Sequence, residues 1–227
     1  MDIFFSRKIA MMIEYPKIHS PWKRDPKTHK FIFEKWSCPE FEYLADNFWV
    51  CYEKLDGMNV RVSFSPDGKE AIFKGRTDKA ELRPELLEFL DRHFSSNELT
   101  ILSGHDTKPD EVVLFGEGLG PKIQKGGNLS PTYQFVLFDV RIGPVWLKRE
   151  QVELFAQYFN VQVAPCLGRG TLWRALEIVE NGFESCLKGA KPGTKAEGMV
   201  LRPQFELLDR MGRRIITKMK TKDFEEN

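Results

Sequence analysis

Two stretches of alternating polarity stand out in the first third of the chain, Phe48-Trp49-Val50-Cys51-Tyr52-Glu53 and Met58-Asn59-Val60-Arg61-Val62-Ser63-Phe64. Both are rich in aromatic and β-branched residues, and a period of two sends successive side chains to opposite faces, so both predict half-buried strands. Ser65-Pro66-Asp67-Gly68 predicts a hairpin turn, because proline presets φ and glycine accepts a positive one. A further strand, Ala71-Ile72-Phe73-Lys74, then delivers Gly75-Arg76-Thr77. Leu82, Leu86, Leu87, Leu90 and Phe94 recur at helical spacing over 80–94, with Asp78 as the N-cap.

Beyond a polar stretch from Ser95 to Asp110, strands are predicted at Val112–Phe115 and Tyr133–Val140. Packing helices follow: Lys148–Tyr158 carries Val152, Phe155 and Ala156, and Leu172–Val179 carries Trp173, Leu176 and Val179 on one face. β character returns at Ala196–Arg202 and Arg214–Lys220. Residues two apart on a strand face the same way, so Lys218 and Lys220 point together, as do Glu197 and Met199.

At 227 residues the chain suits one large domain or two small ones. With no internal repeat, low-complexity tract or Gly/Ser linker, a single domain over 1–227 is the economical reading. It is 41% hydrophobic and 30% charged, as ordinary soluble globular proteins are. A net charge of +1 gives no global field toward nucleic acid. The distribution is less even. Six Lys/Arg against two acids lie between Lys17 and Lys35, and seven against two between Arg202 and Lys222. Either segment is a solvated face or a groove tracking phosphates. Cys38, Cys51, Cys166 and Cys186 lack metal-site spacing, which favours four buried thiols in a reducing compartment over zinc or disulfides. Met1-Asp2-Ile3-Phe4-Phe5-Ser6-Arg7-Lys8 puts its charge after the apolar residues, so neither a signal peptide nor a membrane span fits.

Three acids and a lysine carry the candidate chemistry. Asp139 sits where the strand pattern wants a hydrophobe, so it needs a partner or a task. Glu117, between Gly116 and Gly118 at a strand end, reaches into a cleft with little steric cover, unless the run is a simple glycine-rich turn. Lys54-Leu55-Asp56-Gly57 has the K-x-D-G pattern of enzymes that carry a nucleoside monophosphate on lysine. A neutral amine attacks phosphorus well and leaves again once reprotonated. Asp56 then orients the amine or a metal, and Gly57 admits the backbone close to a nucleotide.

The order of these pieces resembles the ATP-dependent RNA ligases of the nick-sealing, bacteriophage type, the RNA ligase 2 family. The resemblance rests on Glu53–Asn59, Gly75-Arg76-Thr77, Phe115-Gly116-Glu117 with Gly120-Pro121-Lys122-Ile123-Gln124-Lys125, and Phe135–Val140. It continues through Ala164–Gly170, Ala196–Pro203 and Lys218-Met219-Lys220. DNA ligases and capping guanylyltransferases share several of these motifs. Asn59 and the Gly-Pro-Lys-Ile-Gln-Lys and Leu-Gly-Arg-Gly runs are similar to RNA ligases specifically.

The resemblance implies an α+β nucleotidyltransferase domain, with antiparallel sheets around an ATP cleft and helices outside. It implies joining of RNA 3′-hydroxyl and 5′-phosphate ends through lysyl-AMP and RNA-adenylate. Lys54 is the implied nucleophile, with Glu197, Lys218 and Lys220 catalytic beside it and the two last contacting the α-phosphate. Glu117 and Arg76 hold the ribose region, Phe138 stacks on adenine, Val200 packs on the other face of the base, and Glu53 and Asn59 complete the nucleotide-binding set. Asp56, Glu117 and Glu197 hold hydrated Mg²⁺ (or Mn²⁺), an ion that gives up its waters reluctantly. ATP and RNA ends are the implied partners, in a cytoplasmic, phage-type repair enzyme that meets no membrane.

Two departures from the family shape the expectation. Nick-sealing members carry a helical C-terminal domain beyond the last lysine motif, whereas this sequence stops at Asn227. The expectation is therefore lysine adenylylation without that duplex-binding part, supplied by a protein partner or not at all. Conversely, residues 1–47 form a basic, aromatic extension suited to ATP β/γ-phosphates or RNA. A different polynucleotide or nucleotide, or a binding module that has lost its chemistry, are the alternatives.

Overall fold

Along β3 (Trp49–Lys54) burial alternates strictly: Trp49, Cys51 and Glu53 are buried, whereas Val50, Tyr52 and Lys54 are half-exposed. That alternation divides a sheet into a core face and a cleft face. In the chain's structure, a computed structural model that describes residues 12–64, 70–95 and 112–224, β3 is central to a four-stranded sheet of order β10-β3-β11-β12. Its partners are β10 (Cys166–Gly170), β11 (Gly198–Pro203) and β12 (Thr217–Lys220), all antiparallel.

A second sheet runs β5-β4-β6-β7-β8, built from β4 (Met58–Phe64), β5 (Ala71–Lys74), β6 (Val112–Leu119), β7 (Gln134–Ile142) and β8 (Val145–Trp146). A short strand, β9 (Gln162–Val163), adds to β7 in parallel. Ahead of both sheets, β1 (Trp22–Arg24) and β2 (Phe31–Trp36) form a hairpin, and α1 (Pro39–Tyr43) links it to β3. The expected α+β arrangement of antiparallel sheets with outer helices is what the chain adopts.

Each sheet buries its outer face under helices. Val60, Val62 and Leu114 of the larger sheet pack on Leu86, Leu90 and Phe94 of α2 (Pro84–Phe94) and on Val152 and Phe155 of α4 (Arg149–Tyr158). Trp49, Met199, Leu201 and Met219 of the smaller sheet pack on Leu172, Ala175 and Val179 of α5 (Leu172–Asn181), with Trp22 and Phe31 of the hairpin closing the layer. Burying each such side chain is worth roughly 1.5–3 kcal/mol. Thr171 caps α5, its hydroxyl accepting from the Arg174 amide at 3.2 Å, and Gly182 at φ 68° ends it. A four-residue helix, α3 (Gly126–Leu129), sits in the loop after β6.

Several local expectations are corrected. Asp78 does not cap a helix. It pairs at 2.8 Å with the fully buried guanidinium of Arg61, and α2 starts at Pro84, whose fixed φ suits a first turn. Trp173 lies outside the buried face of α5 and is 43% exposed. The run Gly116-Glu117-Gly118 is strand, not turn, with bonds to β4 and β7 on either side. Glycine is required there by packing, since a Cβ at Gly116 would lie 2.3 Å from the Phe135 ring and one at Gly118 2.6 Å from Leu86. The four cysteines are free, but Cys166 and Cys186 are exposed rather than buried. The turn at Ser65–Gly68 and the N-terminal octapeptide lie outside the described residues, as does all but Ser95 of the polar stretch after α2. Among the described residues, no helix is long and apolar enough to cross a membrane.

Candidate active site

Register across the smaller sheet assembles the site. Lys54 lies opposite Gly198 and Gly198 opposite Lys220, so the three residues form one row across β3, β11 and β12. Tyr52, Val200 and Lys218 form the next row on the same face, and Glu53, Met199 and Met219 the intervening row on the core face. Lys218 and Lys220 therefore share the cleft face, as expected. Glu197 and Met199 do not share a face, against expectation: Met199 is buried in the core, whereas Glu197, without lining the cleft itself, pairs with Lys54 and Lys220, which do.

Gly198 is the reason. Its φ of +152° is one that L side chains rarely adopt, so the chain rotates between Glu197 and Met199. Having no side chain, it also leaves the space between Lys54 and Lys220 open, two strand spacings or about 10 Å apart at the backbone. Glu197 fills that space and holds both amines, Lys220 at 2.5 Å. A Cβ on Gly198 would meet the Met219 carbonyl oxygen at 2.0 Å. Gly198→Ala is therefore expected to lower stability by about 1–3 kcal/mol or more and to displace Glu197. Thermal melting reads the first effect and the structure of the variant the second; an unchanged melting temperature would show that the strand pair shifts without cost.

The opposite wall comes from the larger sheet. Asn59 on β4 and Glu117 on β6 are cross-strand neighbours, and Glu117 accepts the Gly57 amide at 3.2 Å. Phe138 on β7 faces the cleft, on the side away from Leu137 in the outer core. Phe138, Val200 and Tyr52 thus give the cleft apolar surfaces, within a cavity of about 390 Å³ that Lys54, Asn59, Arg76, Glu117, Lys218 and Lys220 also line. That volume falls in the range of small-molecule sites.

Asp139 secures this geometry. Fully buried, it accepts from Arg202 of β11 at 2.6 and 3.1 Å, from Arg214 at 3.1 Å and from the Tyr15 hydroxyl at 2.5 Å. The acid that lacked a task on the sequence thus ties β7 to β11 beside Phe138. Burial would raise its carboxyl, but the two guanidinium groups outweigh burial and hold it below the ordinary range.

Electrostatics single out three groups. Burial pushes the Glu117 carboxyl up to about 7, Lys54 opposes the shift, and the charges of Glu197 and Asp56 reinforce it. Burial also lowers the Lys218 amine to about 8, helped by the positive charges of Lys54, Lys220 and Arg76. For Glu197 burial acts upward, but Lys54 and Lys220 prevail and its carboxyl is lowered.

Two expected residues stand apart from the rest. The Glu53 carboxylate is buried and accepts from the Ser185 hydroxyl and, at 2.7 Å, from the Cys186 amide, although the residue borders the cleft. Asp56 lies half-buried in the β3–β4 turn and does not line the cleft, although its charge reaches Glu117. Sequence reasoning also missed contributors. Tyr52 was detectable, two residues from Lys54 on one strand face. Tyr15, Arg149 and Arg202 line the cleft with no such local signal. The Arg149 guanidinium stands 5.0 Å from the Tyr52 ring centre.

Among described residues no three His, Cys, Asp or Glu side chains converge to hold an ion directly. The donor set still fits a hydrated divalent cation. The charges of Glu197 and Asp56 both repel Glu117, and the Asn59 side-chain oxygen is buried without a hydrogen-bond partner. A cation reached through water would relieve both conditions.

Solved structures of Naegleria gruberi RNA ligase have this fold. A variant with ATP and Mn superposes with a TM-score of 0.61 at 19% identity, over 92% of this chain and 62% of that one. The enzyme with PPi gives 0.60 at 20% identity, over 92% and 62%, and an apo variant 0.60 at 18%, over 94% and 59%. The chain thus spans about three fifths of the length of these structures (59% to 62%). No curated protein sequence matches it. A family model described as RNA ligase matches residues 47–220, from the start of β3 to the end of β12. Both sheets that wall the cleft fall inside that span, with Tyr15, Pro16 and Ile18 of the lining outside it, and the chain belongs to the RNA ligase family.

Proposed function

We propose that the chain joins RNA ends at the expense of ATP, through AMP carried on Lys54. The observation that carries this reading is the row Lys54-Gly198-Lys220 with Glu197 between the amines, facing a nucleotide-sized cleft. The deprotonated Lys54 amine attacks the α-phosphorus of ATP, forming a P–N bond as the bond to the bridging oxygen breaks and pyrophosphate leaves. Glu197 orients the amine and hands it over as the nucleotide arrives. Lys218 and Lys220 offset the charge that builds on the α-phosphate, the kind of preorganised stabilisation that dominates phosphoryl transfer. Phe138 and Val200 sandwich adenine, with Tyr52 extending that apolar surface, while Arg76 and Glu117 take the ribose side. An RNA 5′-phosphate then displaces Lys54 to give RNA-adenylate, and a 3′-hydroxyl displaces AMP to close the phosphodiester.

Glu117, Glu197 and Asp56, with Asn59, would hold Mg²⁺ or Mn²⁺ through water. When bound, such an ion supplies charge neutralisation at the phosphates. Titrated Mn-ATP or Mg-ATP, with chelator as the control, followed by transfer of label from Lys54 to 5′-phosphorylated RNA, tests the reading. Labelling of Lys54 from GTP in place of ATP, or label that never leaves the protein for RNA, would sink it.

The pH dependence follows from the two perturbed groups. In the free protein Glu117 is anionic above about 7 and Lys218 cationic below about 8. The rate constant kcat/KM for lysine adenylylation reports free-enzyme groups, so it is expected to peak narrowly between those values. Glu117→Gln should remove the acid limb from the residual activity, and Lys218→Met the alkaline one. Limbs that persist in those variants would assign the titrations to other groups.

A further inference from the structure

A second groove, of about 840 Å³, opens from the cleft at Lys218 and Lys220 and runs along the β1–β2 hairpin. Its exposed cationic and imidazole side chains are Lys17, His19, Lys23, His29, Lys30 and Lys222. Among the described residues the acid lining it is Asp223 alone, already committed to Arg24 at 2.7 Å and to the Lys220 amide at 3.1 Å. All six lie outside the span matched by the RNA ligase family model. Building on the reading of the cleft as an adenylylating site, we infer that this groove binds the phosphodiester backbone of the RNA strand entering the cleft.

The groove is preformed. The His19 carbonyl accepts from the Lys218 amide at 3.2 Å and the Thr217 hydroxyl at 2.9 Å, which fixes the N-terminal segment against β12. Behind it, Trp22 packs on Phe31, Trp36 and Trp173 with ring centres 5.4–6.2 Å apart, which holds the hairpin in place. Its size favours a strand over the β/γ-phosphates of ATP. His19 sits beside Lys218, and the cations continue through Lys23 on β1 to His29 and Lys30 beyond the hairpin turn. At about 840 Å³ the groove is roughly twice the cleft, more than a diphosphate next to the α-phosphate fills, whereas a backbone carrying one charge per nucleotide meets each cation in turn. Such contacts give affinity that depends on salt and little on sequence. Partial burial and the charges of Lys17, Arg213 and Lys218 hold His19 below the ordinary imidazole value.

The test uses the full chain with Lys17→Ala, Lys23→Ala and Lys222→Ala combined, and the same positions changed to arginine. Fluorescence anisotropy with 5′-phosphorylated single-stranded RNA across a KCl series reads binding. Lysyl-AMP formation without RNA, and its inhibition by pyrophosphate, are measured in parallel. The alanine variant should bind RNA about tenfold or more weakly at low salt, with a log–log salt slope shallower by about 2. Its lysyl-AMP formation and pyrophosphate inhibition should match the unaltered protein, and the arginine variant should bind RNA normally. Unchanged RNA affinity and slope would overturn the inference and leave a solvated face. Slower lysyl-AMP formation and weaker pyrophosphate inhibition with RNA affinity intact would also overturn it, reassigning the groove to the triphosphate tail. If the unaltered protein forms no lysyl-AMP yet the alanine variant loses RNA affinity, the groove inference stands and the reading of the cleft fails.

Discussion

Lys54→Arg is expected to abolish covalent attachment of AMP, with a loss of at least about 10⁴-fold, the scale on which removal of a covalent nucleophile acts. Arginine retains the charge that pairs with Glu197, but its guanidinium stays protonated and cannot attack phosphorus. The fold should survive, because Lys54 is at a strand end with a side chain 20% exposed, and it contributes little to either core. Lys54→Ala should give the same catalytic loss and also leave Glu197 with Lys220 alone. Mass spectrometry of the protein after incubation with ATP and a divalent metal reads the adduct and its position. AMP found on another lysine in Lys54→Arg would remove the basis of the proposed chemistry.

The largest effect on stability is expected at Asp139. Asp139→Ala leaves the guanidinium groups of Arg202 and Arg214 buried without their shared carboxylate. Removing one partner from a buried ionic cluster costs about 3–5 kcal/mol, because the remaining charge is left uncompensated. For a chain of this size that is a fall of roughly 6–20 °C in Tm. The sign of the pH effect follows from the lowered carboxyl. Its stabilisation is complete above the ordinary carboxylate range near about 4 and is lost as pH falls through the depressed value. The unaltered protein should therefore lose stability in acid more steeply than Asp139→Ala does. Because Phe138 adjoins Asp139 and Arg202 lines the cleft, ATP affinity should fall as well. A variant melting within 2 °C or so of the parent would mean that the remaining contacts of Arg214, to the Tyr15 hydroxyl at 3.2 Å and to Glu206 at 3.9 Å, suffice.

The strands around Lys54 were legible because their information is local. In β3 the period of two records which side chains meet the core, and in β4 it selects Val60, Val62 and Phe64 for the main core, although Arg61 and Ser63 on the other face are buried too. Helix α4 was equally plain, with Val152, Phe155 and Ala156 buried as their spacing predicts. Expectations failed where a distant partner overrode a local preference. Asp78 looks like a helix cap, but Arg61 in a neighbouring strand offers a full charge. Glu53 looks like part of the nucleotide set, but it lies on the core row of its strand, and Ser185 and Cys186 hold its carboxylate. Glu197 and Met199 look like neighbours on one face until the positive φ of Gly198 turns the chain between them.

By itself the sequence determined β3 to β7, β11 and β12, the helices α2, α4 and α5, the motif residues around Lys54, and their order along the chain. Each of these is written in residues within a few positions of one another, where periodicity and turn chemistry act. Tertiary structure alone decided that Lys54 and Glu197, 143 positions apart, form a pair, that Asp139 finds its partners 63 and 75 positions away, and that a basic hairpin opens beside Lys218. It also decided the shifts of Glu117 and Lys218, since burial and the approach of like charges are properties of the packed cleft. Contacts between strands depend on register and on desolvation summed over the whole fold, and no local pattern encodes either.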